Sequence, residues 1–155
     1  MDERFEAAKH QSVGQLLFKA ARLWNEAAIQ RVRAMGEPRL RVAHTAVFPH
    51  LDLDGGTRLT ELARRMGVSK QAAQQLIDDL CEMGLVARVP DPTDKRANRV
   101  VWTARGQQGL MHGLGVLTEM ERELAAAVGE ARMEQLRTGL RALLDALDTP
   151  AESAR

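Results

Sequence analysis

The stretch from Thr60 to Thr103 constrains the fold of this chain more than any other. Thr60 is placed to cap a short helix over Glu61–Met66, with Glu61 favourable at the positive end of the helix dipole. Leu62, Ala63 and Met66 fall on one face, and Gly67 stops the helix. Ser69 then caps a second helix over Lys70–Met83, whose inward face is Ala73, Leu76, Ile77 and Leu80, and Gly84 ends it. Two short helices joined by a tight glycine-containing turn, with the small Ala63 at their crossing, read as a helix-turn-helix. Next come a strand pattern over Leu85–Val89, a polar loop from Pro90 to Asn98, and a second strand pattern over Arg99–Thr103. A hairpin directly after a helix-turn-helix is a wing. Folding does not require its tip to be basic, yet the stretch from Lys95 to Arg105 holds Lys95, Arg96, Arg99 and Arg105 and no acid.

Helices flank this lobe. The first is predicted over Glu3–Met35, from Phe5, Ala8, Leu16, Ala20, Leu23, Trp24, Ala27 and Val32, and Gly36-Glu37-Pro38 stops it. A second is predicted over Arg39–His50, ended or kinked by Pro49, before the turn Asp52–Gly56. A long helix opens at Thr103-Ala104-Arg105-Gly106 and runs to Val128. Gly129 breaks it, and a last helix runs Glu130–Leu147 with Met133, Leu136, Leu140, Leu143, Leu144 and Leu147 at helical spacing. The expected fold is mainly α with a small β-hairpin wing. It is one domain over 1–155, with the winged helix-turn-helix lobe at about 39–105 and dimerisation helices at about 3–35 and 106–147. A length of 155 residues with 45% hydrophobic residues suits one globular core.

The net charge of +1 leaves the cations of residues 58–105 as the place for a polyanion. No apolar run approaches the roughly 20 residues that span a bilayer, and the charged start has no apolar segment after it, so a cytoplasmic protein is expected. The lone Cys81 cannot form an internal disulfide. His10, His44, His50 and His112 lack metal-ligand spacing, so no metal or cofactor is expected. There is no Ser/His/Asp set, glycine-rich phosphate loop or paired carboxylate, so no catalytic residue is expected.

The order of elements and these residues resemble the MarR (multiple antibiotic resistance regulator) family. Carrying the likeness are Arg58 through Ala72, Leu80-Cys81-Glu82-Met83-Gly84-Leu85-Val86, Asp91-Pro92-Thr93-Asp94-Lys95-Arg96 and Thr103-Ala104-Arg105-Gly106. It is strong over the middle third and architectural at the helical ends. The resemblance implies a triangular homodimer, interlocked through the first and last two helices, that offers one winged lobe to each half of a pseudo-palindromic operator in double-stranded DNA. It also implies a transcriptional repressor released by a small aromatic or phenolic ligand. The ligand would sit between the first, second and fifth helices, with Trp24, His44, Phe48 and Met111 as candidate lining. The family wing often carries Arg where this chain has Thr93.

A helix N-terminus fits the major groove. Ser69, Lys70, Gln71, Gln74 and Gln75 occupy that place, where glutamine can pair with adenine and lysine can reach guanine. Lys95 and Arg96 at the wing tip would enter the minor groove, with Arg96 or Arg99 oriented by Asp94. Arg64 is a candidate phosphate contact. Two alternatives are a winged-helix module for protein–protein contact without DNA, and a redox sensor through Cys81, whose acidic neighbours Asp78, Asp79 and Glu82 would raise its pKa.

Overall fold

In a computed structural model, residues 12–94 and 96–148 are described. The expectations for Phe5, Ala8, His10 and Lys95, and for the start of the first helix, lie outside them. The elements are α1 (Val13–Ala34), α2 (Val42–Thr45), a 3-10 turn (Phe48–His50), β1 (Thr57–Arg58), α3 (Leu59–Met66), α4 (Lys70–Glu82), β2 (Val86–Pro90), β3 (Asn98–Trp102), α5 (Ala104–Val128) and α6 (Glu130–Asp148). The fold is mostly helical with a small antiparallel sheet, as the sequence leads one to expect. Two compact units divide after Val116.

In the first unit, α3 and α4 make the helix-turn-helix. Gly67 takes φ +66, a left-handed conformation that a Cβ disfavours, and its N–H reaches the Arg64 carbonyl at 3.2 Å. Ser69 Oγ then accepts from Ala72 N at 3.1 Å, supplying the cap expected for α4. The buried face is Leu62 and Ala63 on α3 with Ala73, Ile77 and Leu80 on α4. Leu62, Ile77 and Leu80 pack with Ile29, Leu40, Val47, Leu51, Met83, Leu85, Val86, Val100 and Trp102 in one core.

Three expectations are corrected. The second helix is one turn followed by a 3-10 turn. Thr45 Oγ1 donates to the Val42 carbonyl at 2.7 Å, and Pro49 has no N–H to continue a ladder. Thr60 is not the cap of α3, because the helix begins at Leu59 straight out of an extended Arg58. The wing is also not a lone hairpin. A two-residue strand pairs Thr57 with Val100 and Arg58 with Arg99, giving the sheet order β1-β3-β2. In the hairpin, Val86 to Pro90 pair with Trp102 to Asn98. Trp102 anchors it by packing at 5.5 Å on Phe48 and donating Nε1–H to the Leu51 carbonyl at 3.4 Å.

The Thr-x-x-Gly exit has a physical basis. Thr103 Oγ1 accepts from Gly106 N at 2.9 Å and lies 2.7 Å from the Gly84 carbonyl oxygen, while Thr103 N donates to the Leu85 carbonyl at 3.1 Å. This seats the start of α5 against the end of α4. Arg105 adds bonds to the Met83 carbonyl and to Glu37.

Only Ala28 and Ile29 of α1 are buried, while Val13, Leu16, Phe18 and Leu23 are exposed. The second unit holds the end of α5 and α6. Met120 and Ala125 are buried there, and α6 leaves Leu136, Leu140, Leu144 and Leu147 exposed. None of the described helices is long and apolar enough to cross a membrane.

Candidate nucleic-acid interface

The site is built on the start of α4 and the wing. Ser69, Lys70, Gln71 and Gln75 are exposed and Gln74 is half-buried. These are the side chains the sequence nominates. Among the described residues Lys70 and Gln71 have no hydrogen-bonding or charged partner, whereas Gln74 and Gln75 do. Gln74 Nε2 donates to Asp78 at 3.1 Å, and Gln75 Nε2 reaches Asp79 at 3.4 Å.

Both carboxylates are held in turn. Arg88 of β2 donates to Asp78 at 2.6 Å. Asp79 meets the Arg41 guanidinium and the His44 ring, with His44 Nε2 at 3.2 Å. His44 is fully buried, and its Nδ1 accepts from Arg41 N at 3.0 Å, so a neutral ring carries its hydrogen on Nε2 and donates it to Asp79. That bond lowers the Asp79 pKa, assisted by the Arg41 charge. The Arg88 and Gln74 bonds do the same for Asp78.

The wing is organised by Asp91, a residue of the Asp-Pro-Thr-Asp motif to which the sequence alone assigns no role. Its carboxylate is buried and accepts five hydrogen bonds. Oδ2 takes Arg58 Nε at 2.6 Å and Arg99 Nε at 2.8 Å. Oδ1 takes Thr93 N at 2.8 Å, Thr93 Oγ1 at 2.7 Å and Asp94 N at 3.2 Å. Arg58, Thr93 and Arg99 hold its pKa far below the usual carboxylate range. The expectation that Asp94 orients the wing arginines is therefore corrected. Arg99 is held by Asp91, and Asp94 Oδ1 accepts the backbone N–H of Arg96 at 3.0 Å. A buried charge requires strong donors, whereas a solvated one at the tip does not. Asp91 has a readable signal in the Asp-Pro-Thr-Asp turn pattern, in which the first carboxylate caps the N–H two residues on.

The other candidates fall as follows. Arg96 is exposed at the tip, with no ion pair among the described residues. Arg99 is engaged with Asp91 and with the Gly55 carbonyl. Arg64 is exposed but forked onto Glu61 at 2.7 and 2.8 Å, and Arg64 and Arg65 together lower Glu61 to about 2. Of the ligand candidates, His44 is buried and Phe48 packs on Trp102. Trp24 is half-buried on α1 and Met111 is exposed on α5. A groove of about 500 Å³ in the second unit, bordered by Glu121, Arg122, Glu130, Met133 and Arg137, involves none of these four. Burial raises the Cys81 thiol pKa, which lowers its thiolate content.

Residues 41–97, which carry the helix-turn-helix and most of the wing, match the model described as MarR family. No curated protein matches the chain significantly. Solved structures share the fold. The crystal structure of MarR superposes with a TM-score of 0.73 at 23% identity, covering 88% of this chain and 98% of that one. The transcriptional repressor CouR bound to a 23-mer DNA duplex gives 0.66 at 20% identity, covering 88% and 95%. CouR from Rhodococcus jostii RHA1 bound to p-coumaroyl-CoA gives 0.65 at 21% identity, covering 93% and 96%.

Proposed function

We propose that this chain is a transcriptional regulator that binds double-stranded DNA as a homodimer, with no catalytic role. One observation carries the reading: the exposed start of α4 and the Arg96-bearing wing tip leave the side chains of Lys70, Gln71 and Arg96 without protein partners among the described residues. Each subunit lays the α4 N-terminus in a major groove, where glutamine and lysine meet base edges, and Arg96 with Lys95 reaches the adjacent minor groove. The exposed apolar residues of α1 and α6 support the dimer. Leu16, Phe18, Leu140 and Leu144 left in water are the mark of an interface. Two lobes then meet two half-sites of a pseudo-palindromic operator.

The proposal includes repression with release by a small aromatic ligand. The support is likeness of fold to a repressor solved with DNA and also with p-coumaroyl-CoA. A ligand acts by favouring a lobe spacing that fits the operator poorly, and its effect is bounded by its differential affinity for the two states. The test is a gel shift with the DNA upstream of the protein's own coding region, repeated at several salt concentrations and then with a panel of aromatic carboxylates. Binding that weakens linearly in log salt supports the reading. Absence of any duplex binding, or a stable monomer in solution, overturns it.

A further inference from the structure

Asp78 and Asp79 do more than cap the end of a polar helix face. Each stands one helical turn after a glutamine of the proposed reading surface, the spacing at which side chains meet. An ionised carboxylate has only acceptors, so the amide end that approaches it must be the NH₂. The observed contacts obey this: Nε2 of Gln74 lies 3.1 and 3.2 Å from the two Asp78 oxygens, and Nε2 of Gln75 lies 3.4 Å from Asp79. The carboxylates are fixed from behind, Asp78 by Arg88 of β2 and Asp79 by Arg41 and the buried His44. The Oε1 end of each glutamine has no protein partner among the described residues.

We infer that Asp78 and Asp79 are specificity-determining positioning residues, locking Gln74 and Gln75 in the amide orientation that reads adenine and disfavouring the flipped one that reads guanine. The inference rests on the DNA-binding reading above. An amide with Oε1 forward accepts from adenine N6–H and keeps one N–H for N7. To serve guanine, whose O6 and N7 both accept, the amide must turn its NH₂ forward and use both hydrogens, abandoning its carboxylate. Gln71 is an internal control, because Gln75 rather than an acid stands four residues after it.

The test selects bound duplexes from a randomised double-stranded pool with the parent, Asp78→Ala, Asp79→Ala and Asp78→Asn. Gln71→Ala, Gln74→Ala and Gln75→Ala identify which base pair each glutamine reads. The readout is the adenine-to-guanine ratio at each pair within one variant, so the charge change common to all duplexes cancels. The expected result is a roughly tenfold fall at the Gln74 pair in Asp78→Ala and at the Gln75 pair in Asp79→Ala, within the range a bidentate contact supplies. The Gln71 pair stays unchanged, and Asp78→Asn, whose amide offers a donor as well as an acceptor and so no longer selects one glutamine orientation, also lowers the ratio at the Gln74 pair. Asp78 is the more exposed of the two acids, so Asp78→Ala decides the matter if Asp79→Ala unfolds by stranding His44. A parent that binds duplex while Asp78→Ala keeps its adenine preference overturns the inference alone. A parent that binds no duplex overturns both it and the reading beneath it.

Discussion

Replacing Gly106 by Ala puts a methyl group where the structure has no room. The added Cβ would stand 1.8 Å from the Leu85 carbonyl oxygen, 2.8 Å from its carbon and 3.0 Å from Trp102 Cε3. Real Cβ contacts essentially never fall under 3.0 Å, so α5 and the Leu85 peptide must separate by at least the difference, 1.2 Å. Neither side is a flexible side-chain end. The Leu85 oxygen accepts from Thr103 N at 3.1 Å and has Thr103 Oγ1 at 3.1 Å, so the shift disturbs both interactions. Two disturbed hydrogen bonds cost about 2 kcal/mol, and crowding against Trp102 costs about 2 kcal/mol more. Alanine returns about 1 kcal/mol of helix propensity. The net is a loss of about 3 kcal/mol, a fall of roughly 6–12 °C in melting temperature for a chain of this size. Gly115 lies in the same helix with open space where a Cβ would stand, so Gly115→Ala should gain roughly 0.5–1 kcal/mol. Circular-dichroism melts of both variants at one protein concentration read this directly. A Gly106→Ala protein melting at or above the parent would refute the close approach of α5 to Leu85.

Arg96→Ala should weaken binding to all sequences alike and reduce the slope of log affinity against log salt by about 0.9 for each phosphate that Arg96 neutralises, measured by fluorescence anisotropy. Gln71→Ala should leave that slope unchanged and relax base preference at one pair of each half-site, read from selected duplexes. Arg64→Ala should alter the slope less than Arg96→Ala, because Glu61 already engages its guanidinium. Acid should unfold the first unit through its depressed carboxylates. Glu61, lowered from 4.5 to about 2, contributes stability that is present above 4.5 and is lost as pH falls toward 2; Asp91 carries the same sign further down. Asp91→Asn should therefore melt lower at neutral pH and show a shallower fall in melting temperature on acidification. An unchanged pH profile would remove Asp91 from its central place in the wing.

The parts of the fold legible in the sequence are those written in local chemistry. Gly67, Ser69 and Gly84 mark turns and caps within a few residues of themselves, and the α4 face of Ala73, Ile77 and Leu80 follows from a 3.6-residue period. Sequence patterns fail where partners are distant. β1 is two residues long, too short for any alternation to show, and it exists because β3 offers an open edge at Val100 and Arg99. Arg58 and Asp91 are separated by 33 positions, so the nearer Asp94 looks the natural partner for the wing arginines. Periodicity on α1 correctly finds an apolar face, but Leu16 and Leu23 stay exposed in one chain. A hydrophobic pattern says that a face needs cover, not whether its own chain or another supplies it.

The distribution of ion pairs turns an almost neutral chain into a candidate for binding a polyanion. Arg58 and Arg99 are held by Asp91, Arg64 and Arg65 by Glu61, Arg88 by Asp78 and Arg41 by Asp79. Each of these cations has its field partly cancelled where it stands, and moving it to a phosphate would leave an acid behind. Lys70 and Arg96 have no such anchor among the described residues, and one sits at the start of α4 while the other sits on the wing tip. Net charge alone would argue against nucleic acid. What favours it is that within the winged lobe, residues 39–105, acids hold the scaffold arginines, so among the described residues of that lobe the cations left without an ion pair stand at the two places a duplex would touch.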